Sequence, residues 1–154
     1  MPIVNPDVVI MAGGRGTRFG PLIAPYGCKS LIPVSEWPAI EYVIRAVRLA
    51  TIGRIFFCIE RPELFPGIYG QVQRVGVENT EIYLDTAMRG TMHALYKLRD
   101  KLATDNVLVL YGHHLVRPKH LQEMIERGET GTITSLYKTS SNNPRSFANV
   151  AIDW

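Results

Sequence analysis

Residues 8–20 read Val-Val-Ile-Met-Ala-Gly-Gly-Arg-Gly-Thr-Arg-Phe-Gly, an apolar, largely β-branched run that passes directly into a glycine-rich loop. The apolar run is typical of a strand that is buried on both faces. The glycines let the backbone turn sharply and bring its N–H groups against an anion without interference from side chains. The stretch therefore predicts a phosphate-binding loop at the carboxyl end of a buried strand, where ligands bind in doubly wound sheets.

Apolar runs of the same kind recur along the chain, and segments with helical spacing of apolar residues separate them. The predicted strands are residues 8–11, 55–59, 82–84, 107–111 and 133–137, and the predicted helices are residues 38–49, 91–102 and 118–127. Thr91 is placed to cap the second helix, and Gly128 is placed to end the third. This alternation predicts an α/β fold, a doubly wound, three-layer, Rossmann-like and mostly parallel sheet in a single domain over residues 1–154.

The segment 62–76 has no clear pattern. Pro66, Gly67 and Gly70 interrupt any helix there, although Val72 and Val75 could dock a short one.

Composition limits the classes of function. The chain has 154 residues with a formal net charge of +3, and its Lys and Arg residues are scattered among acidic residues, so a nucleic-acid partner is not indicated. Two cysteines, Cys28 and Cys58, give no disulfide framework. The N-terminus lacks a signal-peptide pattern and no run of eighteen apolar residues occurs, so we expect a cytoplasmic protein with no membrane segment. The sequence does not decide whether the protein forms a homo-oligomer.

The glycine-rich loop alone is a weak signal, because a tight turn also uses glycines. It lacks the Gly-Lys-Ser/Thr of the Walker pattern, and its glycine spacing does not fit a dinucleotide fingerprint. Arg18 and Lys29 add positive charge, the first as a bidentate fork and the second as a mobile point charge, and both suit phosphate oxygens.

More specific motifs follow the loop in a fixed order. After Ala12-Gly13-Gly14-Arg15-Gly16-Thr17-Arg18 come Pro21-Leu22, then Lys29-Ser30-Leu31-Ile32-Pro33-Val34, then Pro38-Ala39-Ile40-Glu41-Tyr42. Together they resemble the N-terminal signature of the sugar-phosphate nucleotidyltransferases. A weaker resemblance continues through Gly90-Thr91, residues 107–112 and Pro144-Arg145-Ser146-Phe147, so it covers essentially the whole chain.

The resemblance implies a reaction in which a sugar 1-phosphate, or a similar phosphorylated alcohol, attacks the α-phosphorus of a nucleoside triphosphate and releases pyrophosphate. Arg18 and Lys29 would be the catalytic residues, with Lys29 bridging the phosphates of both substrates. Mg²⁺ would be the cofactor, as in the family. The nucleotide would be held by the remaining matched positions, Ala12, Gly13, Gly14, Arg15, Gly16, Thr17, Gly90 and Thr91.

His113 departs from the family pattern. The family places a Mg²⁺-binding aspartate after the glycine that ends the fourth strand, and here His113 takes that place in Gly112-His113-His114. An imidazole is a softer and less charged ligand than Mg²⁺ prefers. Adjacent strand residues point to opposite faces, so His113 and His114 cannot both face one ligand while the strand continues. His93 together with either His113 or His114 could bind zinc or manganese. The alternative is that these residues are ordinary surface histidines, or polar histidines with satisfied hydrogen bonds.

Two functional hypotheses remain. The first is an active nucleotidyltransferase, which the motifs of residues 13–44 favour. The second is a catalytically impaired relative that acts as a nucleotide-binding or assembly subunit, which His113, Met92, His93 and Ala148 favour because they depart from the family pattern. Family enzymes continue beyond the position of Trp154, so the chain is either the first half of a longer protein or a shortened relative.

Overall fold

The central sheet has four parallel strands in a computed structural model that describes residues 5–128 apart from residues 15, 51 and 88. In chain order the strands are β1 (Asp7–Met11), β2 (Pro33–Val34), β3 (Trp37–Pro38), β4 (Ile55–Ile59), β5 (Thr80–Leu84) and β6 (Val107–Tyr111). β2 and β3 form a small antiparallel pair, and the main sheet has the order β5-β4-β1-β6. The strands predicted within the described residues are confirmed, whereas the one at 133–137 lies outside them.

The helices are α1 (Ala39–Arg48), α2 (Phe65–Val75), α3 (Thr91–Leu98) and α4 (Pro118–Gly128). α3 is shorter than predicted because the chain passes into a 3₁₀ turn at Arg99–Lys101. The prediction that Thr91 caps this helix is wrong: the N-cap is Gly90, and Thr91 is the first helical residue. Gly90 has a φ of 91°, a conformation that glycine adopts without strain.

The prediction that Pro66, Gly67 and Gly70 interrupt any helix over 62–76 is also wrong, since α2 runs through all three. The alternative, a helix docked by Val72 and Val75, is confirmed because both side chains are buried. Proline is tolerated in a first helical turn, where the backbone N–H has no intrahelical partner. At Gly67 a Cβ would lie 2.7 Å from Leu31 Cδ1, so the missing side chain allows close packing. Tertiary packing here outweighs helix propensity.

The sheet is covered on both faces, as a three-layer fold requires. α1, α2 and α4 contribute buried residues to one apolar cluster, and α3 contributes Ala94 and Leu98 to a second cluster with Val9 and Phe56. From β1 the chain adds β4 and β5 on one side and then returns to add β6 on the other side. The strand order therefore reverses between β1 and β6, and such a switch point opens a crevice at the carboxyl ends of the strands.

At the amino-terminal ends of the strands, the buried Asp7 at the start of β1 joins neighbouring segments of the chain. Its carboxylate accepts the Arg54 N–H at 2.9 Å and the Ala103 N–H at 2.7 Å, and it pairs with the Arg54 guanidinium. Burial alone would raise the pKa of Asp7, but these hydrogen bonds and the Arg54 charge outweigh it and lower the pKa below its usual value. Within the described part of the chain, no helix has the length and apolar character needed to cross a membrane.

Candidate nucleotide site

The glycine-rich loop leaves β1 in close contact with the end of β4. The buried Ala12 donates its N–H to the carbonyl oxygen of Cys58 at 2.9 Å. A Cβ on Gly13 would lie 2.5 Å from the backbone nitrogen of Glu60, so the two backbones meet where only glycine fits. A Cβ on Gly14 would meet no atom within 4 Å. The missing side chain at Gly13 therefore allows the loop to pack against the end of β4, whereas the space beside Gly14 is empty.

A cavity of about 240 Å³ lies at the carboxyl ends of the four parallel strands. It is bounded by the loop after β1, the ends of β4, β5 and β6, the start of α3 and the 3₁₀ turn Lys29–Leu31. The lining residues are Met11, Gly13, Gly14, Lys29, Ser30, Cys58, Ile59, Glu60, Asp85, Gly90, Thr91, Ala94, Tyr111 and His113.

The turn Lys29–Leu31 places a lysine between the loop and the end of β6. Ser30 is buried, and a Cβ on Gly112 would lie 2.7 Å from its Oγ, so the turn packs directly on the residue that follows β6. The Lys29 Nζ lies 5.4 Å from the centroid of the Phe19 ring, within reach of a cation–π contact. Lys29 thus presents its charge to the cavity between the glycine-rich loop and His113.

The two histidines after β6 lie on a turn, because the strand ends at Tyr111. The alternation of strand side chains therefore does not apply, and the rings of His113 and His114 meet edge to face with centroids 4.6 Å apart. Burial, with the neighbouring charges of His114 and Lys29, lowers the pKa of His113 to about 4. Burial and Lys29 also lower the pKa of His114. His113 is consequently a neutral imidazole at neutral pH.

A buried carboxylate stands at the end of β5. Asp85 is 7% exposed, and its Oδ2 lies 3.0 Å from His93 Nδ1 while its Oδ1 accepts the Ala87 N–H at 3.2 Å. Sequence reasoning missed Asp85 and also Glu60. A signal was available, since each acidic residue directly follows an apolar strand, and the carboxyl ends of parallel strands share one edge of the sheet.

The structure brings six of the predicted site residues together on the cavity wall: Gly13, Gly14, Lys29, Gly90, Thr91 and His113. Ala12 is buried beneath the loop, and Gly16, with a φ of 61°, precedes the 3₁₀ segment Thr17–Ile23. Thr17 and Arg18 are exposed on that segment and do not line the cavity. Arg15 lies outside the described residues.

The donor groups around His113 do not fit Mg²⁺, which prefers a set of oxygen ligands in octahedral geometry. The neighbours of His113 include His114, whose ring is in contact with it, and the cationic Lys29. No group of three or more His, Cys, Asp or Glu side chains within the described ranges could hold a metal ion. His93 is hydrogen-bonded to Asp85.

The fold and the cavity define a class: an α/β domain with a glycine-rich loop and a lysine at the switch point of a parallel sheet. The family model described as nucleotidyl transferase matches residues 7–153. The chain belongs to that family.

Individual relatives agree with this assignment. A low-salt glycan biosynthesis nucleotidyltransferase of Haloferax volcanii is 28% identical over 149 residues, which are 94% of this chain and 41% of the relative. The bifunctional protein GlmU of Thermodesulfovibrio yellowstonii is 31% identical over 121 residues, 78% of this chain and 25% of the relative. A UDP-glucose pyrophosphorylase solved with UDP-glucose matches the fold with a TM-score of 0.66 at 19% identity, over 82% of this chain and 54% of that one. The chain thus spans less than half the length of these two curated relatives.

Proposed function

We propose that the protein transfers a nucleoside monophosphate from a nucleoside triphosphate to a sugar 1-phosphate or a similar phosphorylated substrate and releases pyrophosphate. This proposal is supported mainly by the cavity at the carboxyl ends of the strands, because both the glycine-rich loop and Lys29 line it. Membership of the nucleotidyl transferase family supports it.

In the proposed reaction, a phosphate oxygen of the acceptor attacks the α-phosphorus of the triphosphate. A new P–O bond forms, the bond between the α-phosphorus and the bridging oxygen breaks, and pyrophosphate leaves with the electron pair. The reaction needs positioning and neutralisation of charge more than covalent catalysis. Residues that only hold and align the phosphates are therefore sufficient for a large rate effect.

The chain offers such residues at the loop and at Lys29. Backbone N–H groups around Gly13 and Gly14 would face the triphosphate, because Gly14 has no side chain between its backbone and the cavity. The ammonium of Lys29 would contact phosphates of both substrates from the other side. Thr17 and Arg18 lie exposed on the adjoining 3₁₀ segment and would reach the outer phosphates, and the buried Gly16 would set the turn that leads into that segment. Gly90 and Thr91 would border the nucleoside.

The proposal takes no step through Mg²⁺, since the described groups near His113 do not form an oxygen ligand set. That observation favours a second candidate function, a family member that binds a nucleotide without turning it over, or that serves as an assembly subunit. Loss of a metal-binding carboxylate removes several kcal/mol of charge stabilisation from a phosphoryl transition state, on the order of a thousandfold or more in rate.

Calorimetry with a panel of nucleoside triphosphates, with and without Mg²⁺, tests whether the cavity holds a nucleotide. The transferase and the nucleotide-binding relative both predict binding. If no triphosphate binds, both are overturned and only the assembly role is left. Pyrophosphate release with a panel of sugar 1-phosphates then separates them, because only the transferase produces it.

The role of Lys29 has its own test. Lys29→Ala should weaken triphosphate binding by a charge-assisted contact, about 1.5–3 kcal/mol or roughly 10- to 150-fold. Lys119→Ala is the matched control, since the Lys119 side chain is 89% exposed on α4. Equal affinities for the two variants would remove Lys29 from the site.

A further inference from the structure

Arg61 follows the end of β4, and its side chain reaches the segment of the chain that leads to Lys29. It comes shortly after Ile59, the last residue of β4, and directly precedes the 3₁₀ turn Pro62–Leu64. The Arg61 Nη2 donates a hydrogen bond to the carbonyl oxygen of Gly27, which lies 34 positions earlier in the sequence. Gly27 is separated from Lys29 by one residue. The contact therefore ties the chain just before the lysine to the end of β4.

The same short segment after β4 also meets the glycine-rich loop. The Glu60 backbone nitrogen is the atom that a Cβ on Gly13 would approach to 2.5 Å. Glu60 thus contacts the loop through its backbone, and the neighbouring Arg61 contacts the chain before Lys29 through its side chain. All five residues of β4 are buried, so the end of this strand is a rigid reference. Both elements that are proposed to hold the phosphates are located against it.

The position of the Lys29 backbone matters because a lysine is a point charge on a flexible stem. A Cβ on Gly16 would lie 3.1 Å from Lys29 Cγ, so the stem passes beside the glycine-rich loop. The chain after the lysine is held by the buried Ser30, since a Cβ on Gly112 would lie 2.7 Å from its Oγ. The chain before the lysine is held by Arg61. The start of the lysine stem is therefore fixed from both directions along the chain.

We propose that Arg61 is a positioning residue that holds Lys29 against the phosphates of a nucleoside triphosphate, an inference that rests on the proposed nucleotide-binding function. Arg61 is not among the residues that line the cavity, so it acts through the Gly27 carbonyl and does not touch the ligand. Burial raises the pKa of the Cys28 thiol, and the charge of Arg61 opposes that rise. The guanidinium therefore stands close to the residue that joins Gly27 to Lys29.

Two competing interpretations give Arg61 another role. In the first, it only stabilises the fold. Its Nε is buried without a hydrogen-bond partner in the part of the chain that the structure describes, and a buried unpaired donor costs free energy that offsets the Gly27 contact. In the second, its charge attracts the phosphates directly, so its effect does not depend on Lys29. The three roles differ in whether Arg61→Met weakens triphosphate binding and whether that loss requires Lys29.

A double-mutant cycle separates these roles. Calorimetry with ATP, CTP, GTP, UTP and dTTP first identifies the triphosphate that the unaltered protein binds most tightly. The affinity for that triphosphate is then measured for Arg61→Met, Lys29→Ala and the variant that carries both changes. Arg48→Met is the matched control, because Arg48 is exposed and also donates to a backbone carbonyl, that of Val75 at 2.7 Å, away from the cavity.

The expected result is a loss that depends on Lys29. Arg61→Met should weaken triphosphate binding about 3- to 30-fold, part of the loss expected for Lys29→Ala, whereas Arg48→Met should bind as the unaltered protein does. When Lys29 is already alanine, the further change Arg61→Met should alter the affinity by less than about twofold, because the group that Arg61 positions is gone.

Three results would overturn the positioning role while nucleotide binding stands. They are an unchanged affinity in a folded Arg61→Met variant, an equal loss from Arg61→Met with and without Lys29, and an unchanged affinity in Lys29→Ala. If Arg61→Met does not fold, Arg61→Gln takes its place in the cycle, and failure of both variants to fold would show that the arginine serves folding and would overturn the role equally. If the unaltered protein binds no triphosphate, the proposed nucleotide-binding function itself fails, and the role of Arg61 with it.

Discussion

Replacement of Gly13 by alanine should destabilise the fold, because the new Cβ has no room. It would lie 2.5 Å from the Glu60 nitrogen, and 3.0 Å from both the carbonyl carbon and the Cα of Ile59. Ordinary contact begins at 3.4 Å, so the loop and the end of β4 must separate by about 0.9 Å (3.4 minus 2.5). All three atoms belong to the backbone, and a rotamer change cannot relieve the clash. Overpacking of this kind costs about 1–3 kcal/mol.

Urea denaturation followed by circular dichroism measures the effect, with Gly14→Ala as the matched control. A Cβ at Gly14 meets no atom within 4 Å, so this control should unfold at the midpoint of the unaltered protein. In a thermal melt, the same change of about 1–3 kcal/mol should lower the midpoint of Gly13→Ala by roughly 2–12 °C for a chain of this length. Equal midpoints for the two variants would refute the argument that Gly13 is required for the close approach of β1 and β4.

Two further predictions concern His113 and Asp7. His113→Asp should raise Mg²⁺-dependent pyrophosphate release, because a carboxylate is a ligand that Mg²⁺ prefers; an unchanged or lower rate would contradict the view that the histidine replaces a metal ligand. Asp7→Asn should lower the free energy of unfolding at pH 7 by about 1–3 kcal/mol, since an amide leaves a buried N–H donor without an acceptor. The folded-state pKa of Asp7 is lowered, so the charge contributes stability above the unfolded pKa of about 3.9 and the contribution is lost as the pH falls through the folded pKa. The difference between Asp7→Asn and the unaltered protein should therefore shrink in acid. Asp100→Asn, whose side chain is 82% exposed, should show no such difference, and the same loss in both variants would count against the Asp7 anchor.

The parts of the fold that follow a strong local pattern were predicted well. β1, β4 and β6 are apolar runs, and the stripe of Ile40, Val43, Ile44 and Val47 gave α1 to within a residue at each end. α2 was left undecided, with a short helix docked by Val72 and Val75 as one possibility, because its sequence contains a proline and glycines. Its stability comes from the burial of Ile68, Val72 and Val75 and from the contact of Gly67 with Leu31, which no local pattern reports.

The residues of the candidate site also fall into those that local motifs predicted and those that they did not. The motif order in residues 12–44 named the family and identified Gly13, Gly14 and Lys29, all of which line the cavity. It did not reveal Asp85 or the contact with His93. Asp85 lines the cavity only because the fold brings the end of β5 and the loop after β1 to the same cavity.

The sequence by itself determined the fold class, the family and a loop suited to phosphate, because these depend on residue types and spacings within short segments. Only the tertiary structure decided what faces that loop. The strand order β5-β4-β1-β6 places a lysine and a neutral imidazole on one side and a buried carboxylate on the other. The need for glycine at residue 13 is apparent only in the folded chain. A Cβ there would clash with the backbone at the end of a strand more than forty residues away in the sequence.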